Sequence, residues 1–153
     1  MSCDRNTIIT TWRTTSGCDN VKRITRASLD LILQHAREAA PEECCGLLLG
    51  NDQLVSEARP ARNVADQRAT RFVIDPRDHF NAIRAARERS LAIVGYYHSH
   101  PRSAPIPSDT DRAEAESSDH LYVIVGLSAG QPDVRLYRHV EGNFLLQEFI
   151  TVA

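Results

Sequence analysis

The residues of this chain whose types and spacing can do chemistry lie in GYYHSHPRSAPIPSDTD, Gly95 to Asp111: two histidines one residue apart, a proline-broken loop, and a serine three residues before an aspartate. On a strand, residues i and i+2 share a face, so His98 and His100 project side by side while Ser99 points away. Pro101 ends such a strand, and the loop to Pro107 can fold back to bring Asp111 into the first turn of a following helix. Two imidazoles and one carboxylate leave a fourth tetrahedral position open. That is the layout of a catalytic zinc centre, where a bound water is acidified toward a pKa of about 7. The same residues have a plainer reading. An H-x-H pair can serve strand packing or hydrogen bonding, and Ser108 with Asp111 is nearly a capping box. Neither H-E-x-x-H nor an H-x-E with P-C-x-x-C is present, which sets aside two other histidine-based metal folds.

Such a centre also needs a base. Glu42 and Glu43 lie between Pro41 and the apolar run CCGLLLG. A carboxylate at the mouth of a buried strand is partly desolvated, which raises its proton affinity and suits acid–base work. Glu42 is read as facing solvent.

The elements that must position these groups follow from periodicity. A short strand is expected at Val21–Thr25, then a helix capped by Ser28 and running to about Ala40, with Leu31, Ile32, His35 and Ala39 on its apolar face. CCGLLLG reads as a buried strand, with DQLVSEARPA as its antiparallel partner after a turn at Gly50–Asn51. TRFVID alternates Phe72 and Ile74 inward as a further strand. Asp75–Pro76 opens a second helix to about Ser90, with Phe80, Ile83 and Ala86 at helical spacing. LAIVGYYHSH is a strongly apolar strand, and a short helix runs from Asp109 to about Ser117. HLYVIVGLS, DVRLYRHV and NFLLQEFI supply three last strands. The pattern predicts an α/β domain: a mixed, curved, mainly antiparallel sheet packed with two main helices and a short third one.

Composition narrows the classes. With 153 residues the chain is long enough for one cored domain. A net charge of −2 exerts no general pull on nucleic acid or anionic membrane. No apolar run approaches the roughly 20 residues of a membrane span, and the N-terminus lacks a secretory pattern, so a cytoplasmic location is expected. Residues 1–20 read as a loose or disordered arm or an extra edge strand, and 21–153 as the domain. Cys44 and Cys45 read as small buried residues, while Cys3 and Cys18 sit in the arm and could pair. His35, His79, His120 and His139 are read as structural.

Taken together, the pieces resemble the JAMM motif of the MPN/Mov34 metalloprotease family, of the stand-alone bacterial and archaeal type. HSHP, the six residues RSAPIP and SDTD match its second half, and PEECCGLLLG matches the upstream element with Glu43 as its glutamate. RFVIDP and IVGYYHSHP extend the likeness, which runs from about Val21 to Leu146. The resemblance implies an MPN/JAB, cytidine-deaminase-like fold and a zinc ion (Zn2+) held by His98, His100 and Asp111. Glu43 would be the general base and Ser108 the oxyanion donor. It implies hydrolysis of an amide or isopeptide bond after the C-terminal Gly-Gly of a ubiquitin-like or sulfur-carrier protein. That tail would be added as a strand along TRFVID. The alternative is a non-catalytic MPN-type binding module. An exposed sheet edge permits a homodimer.

Overall fold

The computed structural model describes residues 21–115 and 119–153, so the expected arm, with Cys3 and Cys18, lies outside the described residues. In chain order the elements are β1 (Lys22–Thr25), α1 (Arg26–Ala39), β2 (Cys45–Gly50), β3 (Leu54–Ala61), α2 (Pro76–Glu88), β4 (Ala92–His100), α3 (Asp109–Glu114), β5 (Leu121–Gly126), β6 (Asp133–Val140), β7 (Asn143–Gln147) and β8 (Phe149–Val152). One sheet takes all eight strands, ordered β7-β6-β5-β4-β2-β3-β1-β8. β1 pairs in parallel with β3 and β8, and β4 with β5; the other four pairings are antiparallel. The mixed, curved sheet with two long helices and a short one is as expected.

The curvature has a direct cause. β7 and β8 are the two outermost strands, yet only Glu148 separates them in sequence. Residues two apart lie within about 7.6 Å, so the sheet must curl until its edges meet at that end. NFLLQEFI is accordingly two strands rather than one.

Alternating side chains divide the core into two clusters. Ile24, Leu48, Tyr97, Val123 and Leu136 pack with Leu29, Ile32 and Ala36 of α1. Leu47, Leu49, Tyr96, Ile124 and Tyr137 pack with Ala82 and Ala86 of α2. β2 and β5 are buried at every position, which is why their sequences show unbroken apolar runs rather than alternation.

Several local expectations need correction. Thr25, not Ser28, caps α1: its hydroxyl accepts from the Ser28 amide at 3.2 Å. The helix therefore starts earlier, and its buried face is Ser28, Leu29, Ile32 and Ala36. α2 rests on the sheet through Ala82 and Ala86, while Phe80, about 200° around the helix from Ala82, is 58% exposed. α2 ends at Glu88 and α3 at Glu114, each short of its expected end. TRFVID is not a strand; its ladder is one bridge between Asn63 and Ile74. The Asn63 side chain takes the place of a neighbouring strand, bonding the Val73 amide and the Arg71 carbonyl. Among the described residues no helix is long and apolar enough to cross a membrane.

Candidate active site

β4 runs through the middle of the sheet and ends at the site. Its alternation sends Tyr96 and His98 to the α2 side and Tyr97 to the α1 side. His98, Ser99 and His100 are all buried, so both imidazoles sit in a fixed, water-poor setting. Ser99, on the opposite face from the histidines, accepts from the Cys44 amide at 2.9 Å, and its own amide donates to the Cys44 carbonyl at 3.2 Å. These bonds lock β2 to β4 beside the site. Cys45 pairs with His98 in the antiparallel register, and continuing that register sets Glu43 next to His100, on the same face.

Asp111 arrives from the other direction. The loop after β4 is clamped three times: His100 Nδ1 bonds the Ala104 carbonyl at 2.9 Å, the Tyr137 hydroxyl donates to the Pro105 carbonyl at 2.7 Å, and the Leu127 amide donates to the His100 carbonyl at 3.1 Å. Gly126 leaves room for this fold-back, because a Cβ there would lie 2.6 Å from Pro105 Cδ. α3 then begins with a full capping box. Ser108 Oγ accepts from the Asp111 amide at 3.0 Å, and Asp111 Oδ2 accepts from the Ser108 amide at 2.9 Å.

The capping box and the candidate metal site therefore share one atom. The same Oδ2 that closes the capping box stands 3.1 Å from His98 Nε2 and 3.1 Å from His100 Nε2, and the two Nε2 atoms are 3.2 Å apart. Four-coordinate zinc with bonds of about 2.0–2.1 Å has ligand–ligand edges of about 3.3 Å. The His98–His100–Asp111 triangle is nearly equilateral at that size, and it is the one such group among the described residues. The donor set, two nitrogens and an oxygen with a fourth direction free, fits zinc binding. The Ala104 carbonyl places the proton of His100 on Nδ1 and frees its Nε2 lone pair for the centre. His98 Nδ1 is buried without a partner; its ring is held by Phe72, stacked 4.5 Å away at 25°.

Charge in the site is strongly tuned. Burial pushes the Glu43 carboxyl up to about 7; the neighbouring His100 opposes the rise and the negative Asp111 adds to it. Its Oε2 is buried with no hydrogen-bond partner. Burial lowers the proton affinity of His98, outweighing its bond to Asp111. For His100, burial also lowers it, but the bonds to Asp111 and the Ala104 carbonyl win and the net shift is upward. Asp111 would be raised by burial, yet its two histidine bonds hold it far below the usual carboxylate range. Glu42 is exposed and paired with Arg68, as its solvent-facing reading requires. Cys44 and Cys45 are free and buried, and burial pushes their thiols up to about 11 and about 12.

One residue at the site carried no sequence signal: Asn63. Its amide donates to the Glu43 carbonyl at 3.1 Å and the Arg71 carbonyl at 3.0 Å, and accepts from the amides of Ala65 and Val73 at 3.0 Å each. This uses all four of its hydrogen-bonding positions. It ties the backbone of Glu43 to the segment that carries Phe72. An asparagine after a strand reads as an ordinary turn residue, so only the fold reveals the role. Across the cleft an Arg71–Glu114 ion pair joins that segment to α3. Between them a cavity of ≈ 290 Å³ opens beside His98 and Asp111.

Known proteins resemble this chain. The family model described as prokaryotic homologs of the JAB domain matches residues 25–140. A desampylase of Haloferax volcanii is 38% identical over 116 residues, covering 72% of this chain and 80% of that protein. A CysO-cysteine peptidase of Mycobacterium tuberculosis is 31% identical over 125 residues, covering 78% and 84%. The crystal structure of a JAB1/MPN domain protein from Archaeoglobus fulgidus superposes with a TM-score of 0.54 at 19% identity, covering 86% of this chain and 98% of that one, and shares the fold. By its family match and its relatives, the chain belongs to the prokaryotic homologs of the JAB domain.

Proposed function

We propose that this JAMM-type hydrolase uses zinc to cleave the amide or isopeptide bond after the C-terminal Gly-Gly of a small ubiquitin-like or sulfur-carrier protein. The observation that carries the reading is the His98–His100–Asp111 triangle with a protonatable, buried Glu43 on the same face. The names of the relatives, a desampylase and a CysO-cysteine peptidase, support the substrate class.

His98 Nε2, His100 Nε2 and Asp111 Oδ2 would hold the ion. Zinc, when bound, supplies a Lewis acid that polarises the scissile carbonyl and makes a water acidic enough to attack at neutral pH. Glu43 takes the proton of the attacking water at Oε2 and later delivers it to the leaving nitrogen. A carboxylate tuned near neutrality can both accept and return that proton, which an ordinary carboxylate does poorly. The Ser108 hydroxyl uses a lone pair on the Asp111 amide, which leaves its O–H to donate to the developing oxyanion.

The test combines elemental analysis with a Gly-Gly-linked carrier fusion weighed before and after incubation. The expected result is about one zinc per chain and cleavage after the second glycine, with Glu43→Gln retaining the metal and losing the cleavage. Stoichiometric metal with full activity in Glu43→Gln would overturn the assignment of the base. Absence of metal and of cleavage in the unaltered chain would instead mark a binding module.

A further inference from the structure

The cavity beside the metal ligands is larger and more aromatic than a diglycine tail requires. It is walled by Phe72, Ile74, Tyr96, Tyr122 and Phe144, with His79 and the Arg71-paired Glu114 as polar members of the lining, and His98 and Asp111 form the end next to the candidate ion. The rings form a continuous wall: Tyr96 and Tyr122 are 5.8 Å apart, and Tyr122 and Phe144 meet edge to face at 5.1 Å. At ≈ 290 Å³ it lies at the small end of ligand pockets, about 300–1,000 Å³. It suits one large side chain rather than a cofactor.

Resting on the hydrolase reading above, the geometry points to a pocket for the residue that follows the scissile bond, selecting a large apolar or aromatic side chain. The argument has three steps. Glycines have no side chain to place in a pocket, so the side of the bond occupied by Gly-Gly has no use for one. The pocket is continuous with the ion-binding end, within reach of the first residue on the leaving side. Its wall is mainly ring faces and aliphatic groups, which favour apolar surface. A lysine stem, the leaving group of an isopeptide, is a slim run of methylenes. Unbranched, it would meet fewer of these ring faces than an aromatic side chain does, forfeiting contacts on one side. The preferred substrate is thus a linear extension beginning with a bulky residue rather than a lysine conjugate.

The experiment uses dye-labelled synthetic peptides with a diglycine followed by Gly, Leu or Phe, or joined through an isopeptide bond to a Lys Nζ. Two readouts are taken: kcat/KM with the zinc-loaded chain, and Kd by fluorescence anisotropy with the Glu43→Gln chain. The expected order is Phe, Leu, Lys, Gly, with Phe ahead of Gly by ~10-fold or more in both readouts, the scale on which apolar pockets discriminate. Filling the pocket by Ala115→Phe is expected to reverse the order. A flat series, or Lys first, would overturn the pocket assignment while leaving the hydrolase reading intact. If no peptide is cut, the hydrolase reading fails for these substrates, and the Kd series still decides the pocket.

Discussion

The two faces of β4 hold neighbouring residues and do opposite work. On the α1 side Tyr97 is fully buried, its hydroxyl 2.8 Å from His35 Nδ1, among Leu48, Val123 and Leu136. On the α2 side His98 is as deeply buried but faces a carboxylate and an open cavity. Burial on the first face ends in filled space and satisfied bonds. On the second it leaves Glu43 Oε2 and His98 Nδ1 without partners. Buried polar atoms without partners cost stability, and two of them lie where a reaction is proposed. One strand can therefore carry a stabilising face and a reactive face, separated by a single residue.

Substitutions can break this separation. The largest effect is expected from Asp111→Asn, which removes the charge of the candidate ligand set. Activity should fall on the order of a thousandfold, equivalent to several kcal/mol, and a zinc titration should show weakened binding. Next, Leu48→Ala on the closed face should cost about 2–5 kcal/mol of stability in a denaturant melt, with kcat per folded molecule unchanged. A kcat loss comparable to that of Asp111→Asn would show that the two faces are not separable. Asn63→Ala should cost about 1–3 kcal/mol, since it strands several backbone groups, and should lower kcat more than KM rises because Glu43 loses its tether.

The open face should also carry a pH signature. In the metal-free protein Glu43 keeps its proton up to about 7, whereas the unfolded chain loses it in the ordinary carboxylate range. Between those limits the folded state binds more protons, so stability falls as pH rises, and the contribution is level above that window. Melts at stepped pH should show the slope, and Glu43→Gln should remove the part that Glu43 contributes. The smallest effect is expected from Tyr97→Phe, which deletes one bond to His35 for about 1 kcal/mol and leaves activity alone.

The candidate site was more legible in the sequence than its surroundings. His98, His100, Ser108, Asp111 and Glu43 were legible because each occupies a fixed place in a strand, a helix start or a strand mouth, where local geometry dictates direction. CCGLLLG and LAIVGYYHSH were legible for the same reason. TRFVID was misread because alternation reports which way side chains point, and Phe72 and Ile74 do pack inward. It does not report whether a neighbouring strand is there to accept the backbone; Asn63 accepts it instead. The split of NFLLQEFI was hidden because its cause is the meeting of two sheet edges, a property of the whole curl and of no local pattern.

The shared oxygen of Asp111 has one more consequence. α3 is six residues long, too short to persist on helical propensity alone, and its start depends on a capping box whose acceptor doubles as a candidate ligand. Helix formation and ion binding are then one linked equilibrium. An ion that prefers the chain with α3 formed must, by reciprocity, steady α3 by the same free energy. Hydrogen exchange at the α3 amides should therefore slow as zinc is added, making a short helix a reporter of metal occupancy.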